Sequence, residues 1–381
     1  MRNKKVIIRA FTVSQSLDFL KEILPVMMER YTVKVLCSPE KSIDEIQREC
    51  PVEVIPVNMY RRFSPMKDIV SLWKLIRVFR RERPDMVHSM TPKAGLLCML
   101  AAWIAGVPVR VHTFTGLVFP TASGFSRMVL IMTDRITCFC ATHIIPEGEG
   151  VKNDLLSNHI TRKPLKVLGY GNIRGVNMDY YSRRKEVMRK SVELELRDDT
   201  KFTFLFVGRI VRDKGINELV AAFVRLHQED PKTRLWLVGG FEDCLNPVDN
   251  QTRQHINEND SIWAVGEKFG EELLAYYASV DCFILPSYRE GFPNTVLEAG
   301  AMGLPSIVTD INGSREIIRE GVNGLIVPPH DVEALYAAMK KAVAEPSNLA
   351  IMASNAREMI LTRFEQSYVI QCQLDFYQSV F

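Results

Sequence analysis

Glu290 and Glu298 lie in Ser287-Tyr-Arg-Glu-Gly-Phe-Pro-Asn-Thr-Val-Leu-Glu298, which packs a turn, a proline and a helix start between two carboxylates. The apolar run Asp281-Cys-Phe-Ile-Leu-Pro286 before it reads as a buried strand, and the residues after Asn294 read as a helix. Glu290 is therefore expected on a strand-to-helix loop and Glu298 in the first turn of the helix. A helix start offers free N–H groups and partial positive charge, which suits a phosphate. In open α/β sheets this edge is also where ligands bind. A carboxylate there accepts hydrogen bonds from sugar or ribose hydroxyls. Thr295-Val-Leu-Glu298 also has the spacing of a capping box, so Glu298 carries a structural reading beside the binding one. For Glu290 the alternative is a solvated loop acid.

A second constellation is Phe206-Val-Gly-Arg-Ile-Val-Arg-Asp-Lys-Gly215. A strand ends at Gly208, and Arg209 and Lys214 follow on a loop that leads into a helix. Glycine lets backbone approach a ligand. Arginine offers a bidentate fork and lysine a mobile point charge, which together suit a diphosphate. Loop cations are usually just solvated; a Glu290 loop in the same half of the chain strengthens the clamp reading.

These loops need a scaffold, and the pattern supplies one. Short β-branched runs at 5–8, 33–37, 52–56, 86–88, 109–112, 143–145 and 166–168 alternate with amphipathic stretches at 17–30, 66–83 and 96–104. A second series has strands at 203–207, 234–238, 262–264, 282–285, 306–308 and 324–327, with helices at 217–228, 270–278, 295–302, 314–319 and 332–344. Repeated β-α-β order predicts parallel, doubly wound sheets. The polar segment 177–200 reads as a linker between the series. A length of 381 residues is also too great for one typical core.

Several function classes fall away. The first strand is followed by Ala10-Phe-Thr-Val-Ser-Gln-Ser16, without a glycine, which argues against a dinucleotide fingerprint. No Gly-x4-Gly-Lys-Ser/Thr occurs, which removes a P-loop. The eight cysteines are scattered with no Cys-x-x-Cys, and read as reduced thiols rather than a zinc site. No run is long and apolar enough for a spanning helix: 94–105 is too short, and 127–145 is broken by Asp134 and Arg135. A net charge of +3 does not imply nucleic acid.

Taken together, Val207-Gly-Arg209, Lys214-Gly215, Glu290-Gly-Phe-Pro293, Glu298-Ala-Gly-Ala-Met-Gly-Leu-Pro305 and Gly321-Val-Asn-Gly-Leu325 resemble the retaining glycosyltransferases of family 4, of GT-B fold. Pro84-Asp-Met-Val-His88, Thr91-Pro-Lys-Ala-Gly95 and Ala105-Gly-Val-Pro-Val109 resemble members that build bacterial surface polysaccharides on lipid carriers. The resemblance implies two Rossmann-like domains facing across a cleft: an acceptor domain over 1–176, a donor domain over 177–360, and a C-terminal helix over 361–381 that returns to the first.

The resemblance also implies roles. Arg209 and Lys214, beside Gly208, would hold the donor diphosphate and stabilise the leaving group. Glu298 would bind the ribose. Glu290, with Gly291, Phe292, Pro293, Asn294 and Thr295, would contact the donor sugar, and Ser14 and Gln15 would close over the phosphates. His112 joins the catalytic set, and His88, Lys93 and Thr115 the acceptor side. Relatives often carry a histidine just before the glycine of the segment matching Val111-His-Thr-Phe-Thr-Gly116; here that place is Thr115. Residues 112 and 115 face opposite ways if the strand continues. No Asp-x-Asp occurs, so no metal bridge is expected; no cofactor is expected either. Retention without a clear carboxylate nucleophile points to front-face attack, and the resemblance implies that the departing phosphate takes the acceptor proton.

The expected activity is transfer of a sugar from a nucleotide-sugar, UDP-sugar favoured, to a lipid-linked saccharide. A GT-B epimerase and a non-catalytic sugar-nucleotide binder are the alternatives; a phosphorylase lacks its cofactor-lysine motif. Between 61 and 83, Arg61, Arg62, Lys67, Lys74, Arg77, Arg80, Arg81 and Arg83 face only Asp68 and Glu82, a local charge of +6. Lys67, Lys74, Arg77 and Arg81 recur at helical spacing, read as opposite Ile69, Trp73 and Ile76. Such a helix suits an anionic membrane surface, and the expected location is peripheral, on the inner face of the cell membrane. A solvated helix face is the plainer alternative.

Overall fold

A computed structural model describes residues 4–13, 20–39, 51–60, 64–243 and 246–381. The chain forms two compact units: Met1–Gly175 with Ser367–Phe381, and Val176–Gln366.

The first unit is a six-stranded parallel sheet in the order β3-β2-β1-β4-β5-β6. Its elements run β1 (Val6–Ala10), α1 (Ile23–Arg30), β2 (Thr32–Cys37), β3 (Glu53–Pro56), α2 (Pro65–Glu82), β4 (Met86–Met90), α3 (Pro92–Ala105), β5 (Val109–Phe114), α4 (Gly124–Cys140), β6 (His143–Pro146) and α5 (Glu149–Ser157). The handedness of parallel crossovers puts helices that step leftwards on one face and helices that step rightwards on the other. The cores agree. Leu75 and Phe79 of α2, Leu97 and Cys98 of α3 and Cys138 of α4 share one cluster. Leu24 and Met27 of α1 share the other with Leu374, Phe376 and Tyr377 from the end of the chain.

The second unit repeats the plan: α6 (Lys185–Glu193), β7 (Phe202–Val207), α7 (Ile216–Glu229), β8 (Thr233–Val238), α8 (Asn250–Glu258), β9 (Ile262–Gly266), α9 (Gly270–Ala278), β10 (Cys282–Leu285), α10 (Asn294–Ala301), β11 (Ser306–Thr309), α11 (Ser314–Ile317), β12 (Gly324–Val327), α12 (Val332–Ala344) and α13 (Pro346–Phe364). Its sheet is parallel, in the order β12-β11-β10-β7-β8-β9. Strands such as Phe202–Val207 are buried along almost their whole length, as a sheet covered on both faces requires. The last helix, α14 (Gln366–Val380), begins as the chain leaves this unit and packs in the first.

Three expectations need correction. Residues 166–168 form no strand; Leu165 makes one isolated bridge to Ile144. The segment 177–200 is not a bare linker, because α6 buries Val187 and Ser191 and packs on α9. Asp134 and Arg135 interrupt the apolar run, as expected, without interrupting the helix, which is continuous over 124–140. On α2, Ile69 and Trp73 do not lie opposite the bases but face solvent with them, and the buried face is Ser71, Leu75 and Phe79.

Candidate active site

In each sheet the order reverses beside the unit's first strand, and this is where open α/β sheets bind ligands. In the second unit the reversal falls between β7 and β10, which pair through Phe204 and Cys282. The loops leaving these two strands therefore lie side by side. The first carries Gly208, Arg209 and a tight turn over Arg212–Lys214; the second carries Ser287 to Pro293.

The two loops are tied together. Tyr288 N–H donates to the Asp213 carbonyl at 2.9 Å, and Arg289 reaches the Asp213 carboxylate at 3.2 Å. Gly215 sits at φ +70°, and a Cβ there would lie 2.0 Å from the Pro286 carbonyl oxygen, so a side chain is excluded where the loops press together. The result is an ion pair between Lys214 Nζ and Glu290 Oε1. Both side chains are mostly buried, at 22% and 16% exposure. Arg209 pairs with Glu242, on the loop after β8, and stays largely exposed at 63%. The structure thus unites Lys214 and Glu290 and gives Arg209 a separate acidic partner.

The residues after Glu290 lead into α10. Phe292 is buried, its ring 5.4 Å from that of Phe364. Pro293 is the N-cap and makes no side-chain cap, Asn294 opens the helix, and Thr295 is its second residue. The capping box is therefore absent. Glu298 lies in the second turn rather than the first, is buried, and accepts a hydrogen bond from Tyr277 Oη at 3.2 Å. Gly291 lies close under the loop before α11, where a Cβ on Gly313 would come within 2.5 Å of its carbonyl oxygen. Sequence reasoning missed Asp213, Tyr288 and Glu242. Tyr288 stood in the quoted motif, and its hydroxyl donates to Glu218 at 2.7 Å. Burial, then the Glu218 carboxylate, pushes that phenol well up. Ser287 and Ser314 on the same edge have buried hydroxyls without a partner.

The first unit holds the remaining candidates, apart from Ser14 and Gln15, which lie outside the described residues. His112 Nδ1 is 2.8 Å from Ser89 Oγ, and its ring packs edge-on to Phe114 at 4.4 Å. Gly95 admits the ring: a Cβ there would come within 2.4 Å of it. Burial pulls the imidazole down to about 3, so His112 is neutral at ordinary pH. β5 ends at Phe114, so strand alternation stops short of Thr115. Thr115 and His112 line one small cavity of about 20 Å³ with Thr91, Thr133 and Asp134, room for about one water. His88 has no ring nitrogen left for an acceptor: Nδ1 meets Tyr377 Oη at 2.8 Å and Nε2 meets Thr113 Oγ1 at 2.7 Å. Lys93 pairs with Asp68 of α2 at 2.6 Å. No cluster of three or more metal-ligating side chains occurs among the described residues.

Comparison with known proteins agrees with this architecture. The family model for glycosyl transferases group 1 matches residues 188–359, and that for the glycosyl transferase 4-like domain matches residues 27–171. The capsular polysaccharide biosynthesis glycosyltransferase CapM of Staphylococcus aureus is 29% identical over 97% of this chain and 95% of its own length. The Escherichia coli UDP-Gal:alpha-D-GlcNAc-diphosphoundecaprenol alpha-1,3-galactosyltransferase is 25% identical over 90% of this chain and 87% of its own. In fold, Anabaena Alr3699/HepE, solved in complex with UDP, superposes with a TM-score of 0.81 at 17% identity, over 98% of this chain and all of that one. Two doubly wound α/β units of this kind define the GT-B fold. The two domain models and these relatives make it a glycosyltransferase of GT4 type.

Proposed function

We propose that the protein transfers a sugar from a nucleotide-sugar, UDP-sugar favoured, to a lipid-linked saccharide during synthesis of a surface polysaccharide, with retention at the anomeric carbon. The observation that carries this reading is the Lys214–Glu290 pair at the β7–β10 switch point. Support comes from relatives that match nearly the whole chain and are named for capsular polysaccharide synthesis and for a diphosphoundecaprenol acceptor.

As the donor bond lengthens, negative charge gathers on the leaving diphosphate and positive charge on the sugar. Arg209, Lys214 and the start of α10 supply positive potential where the leaving-group charge develops. Glu290, released from Lys214 by the incoming phosphate, turns to the sugar. Glu298, held by Tyr277, takes the ribose hydroxyls. Neutral His112 acts as a hydrogen-bonding group rather than a cation. The departing phosphate oxygen accepts the proton from the attacking hydroxyl.

The enzyme works at the inner face of the cell membrane, drawn there by Lys67, Lys74, Arg77, Arg80 and Arg81 on α2. Arg61 and Arg62, expected to take part, lie outside the described residues. Among the described residues no helix is long and apolar enough to cross a membrane. The test is a transfer assay pairing a panel of nucleotide-sugars with lipid-diphosphate saccharides, read by mass spectrometry, with product anomers assigned by NMR. A glycosylated lipid product of retained configuration supports the reading. Hydrolysis or epimerisation of the donor, with no acceptor product, overturns it.

A further inference from the structure

α2, α3 and α4 form one complete helical layer over a face of the first sheet, with α3 packed between the other two. The outward side of this layer is unusual in what it exposes. On α4, Phe125, Met128, Met132, Ile136 and Phe139 all face solvent, with Phe125 74% and Phe139 68% exposed. Their spacing of three and four residues makes one stripe, about 21 Å long at 1.5 Å per residue. Trp103 of α3 continues it, its ring 6.0 Å from that of Phe139. On α2, Trp73 is also exposed, with the Arg77 guanidinium 3.3 Å above its ring centroid. An apolar surface this broad marks an interaction site.

The charges decide what covers it. Every exposed charged side chain on the three helices is basic: Lys67, Lys74, Arg77, Arg80, Arg81 and Arg135. None of the three acids is exposed. Asp68 pairs with Lys93, Glu82 pairs with Lys34, and Asp134 lines the cavity beneath. A second copy docked on this face by a two-fold axis would set bases against bases with no acid to answer them. An anionic bilayer answers both features, offering headgroups to the cations and acyl chains to the aromatic stripe.

We infer that the outer face of the α2–α3–α4 layer is a monotopic membrane-docking surface, and that the α4 stripe is the element that enters the acyl region of an anionic bilayer. This rests on the lipid-linked acceptor proposed above, and it adds an apolar anchor on α4 to the bases of α2. Attraction to the bases weakens with salt, whereas insertion of the stripe does not.

The experiment is flotation of the full chain with vesicles of phosphatidylglycerol and phosphatidylcholine in equal parts, at low and high salt. The wild type is expected to bind at both, and Phe125→Gln with Met132→Gln and Phe139→Gln to lose about tenfold or more of the salt-resistant partitioning. All three are exposed, so the thermal melt should not move. Bromine-labelled acyl chains, added to the wild type alone, should quench Trp73 and Trp103 and so test insertion without any variant. Unchanged flotation of the triple variant overturns the surface, as does absent quenching, or a wild-type dimer that the triple variant abolishes. Transfer to a short-chain, water-soluble acceptor is measured in parallel. Its loss in the wild type would refute the acceptor reading, while flotation judges the surface independently.

Discussion

Lys214 and Glu290, 76 positions apart, hold each other at the meeting of two loops. A donor diphosphate entering this edge must exchange that pair for its own contacts. Lys214→Ala is expected to lower kcat/KM by about 2–4 kcal/mol in transition-state terms, roughly 30- to 1,000-fold. Glu290→Gln keeps the side-chain shape, so it should remove most transfer and leave the fold intact. Steady-state kinetics beside a thermal melt check both. Unchanged kcat/KM in the lysine variant would exclude its part in the clamp.

Arg209 separates stability from catalysis more cleanly. Its pair with Glu242 is exposed on the arginine side, and such pairs contribute about 0–1 kcal/mol. Arg209→Ala should therefore leave chemical denaturation nearly unchanged while kcat/KM falls by about 2 kcal/mol or more. Glu242→Gln frees the guanidinium and should tighten nucleoside diphosphate binding, measurable by calorimetry. Looser binding in that variant would mean that Glu242 positions Arg209 instead of competing for it.

Glu298 separates its two readings through Tyr277. With Pro293 as N-cap, Thr295→Ala loses no cap and should change stability by less than about 0.5 kcal/mol. Tyr277→Phe removes the hydroxyl that orients the Glu298 carboxylate, and should raise the Kd of a nucleoside diphosphate a few-fold. An unchanged Kd, with lower stability alone, would leave the Glu298–Tyr277 contact structural.

Much of this was legible in the sequence because parallel strands buried on both faces write themselves as apolar runs, as 282–285 does, and because Gly215 and Pro293 punctuate the loops. What was not legible depended on direction rather than composition. Asp134 and Arg135 do break the apolar run, but composition could not say that the helix turns the acid inward and its neighbour Arg135 outward. Ile69 and Trp73 looked like core because apolar and basic positions usually part to opposite faces; here they share one. A proline N-cap set the helix start one residue early and moved Glu298 out of the first turn. Thr115 escaped strand alternation because β5 stops at Phe114. One partner of His88, Tyr377, comes from the far end of the chain, beyond the reach of any local pattern.

That long-range contact makes its own prediction. Tyr377 Oη meets His88 Nδ1 at 2.8 Å and also accepts from Arg9 Nη1. Arg9 is fully buried, and burial lowers its pKa. Tyr377→Phe leaves a buried imidazole and a buried guanidinium short of a partner. It should cost about 2–4 kcal/mol in chemical denaturation, since an unanswered buried charge costs more than a neutral group. A loss below about 0.5 kcal/mol would mean that the network is already satisfied without the hydroxyl.

The pH dependence of stability should carry two opposite slopes from the first unit. Burial holds Asp134 up at about 7, so the folded chain keeps a proton that the unfolded carboxyl gives up near 4. Its contribution is complete below about pH 4 and is lost as pH rises to about 7. Burial pulls His112 down to about 3 and His88 well down also, so their contribution is complete above about pH 6.5 and fades as pH falls. Asp134→Asn isolates the first slope. Between about pH 5 and about pH 8 the variant should gain on the wild type steadily, by about 1–3 kcal/mol in all, and the gain should level off above about pH 7. Urea denaturation across that range measures it. A gap that stays constant with pH would show that Asp134 ionises in the folded chain as it does in the unfolded one, and that the cavity beside His112 holds an ordinary carboxylate.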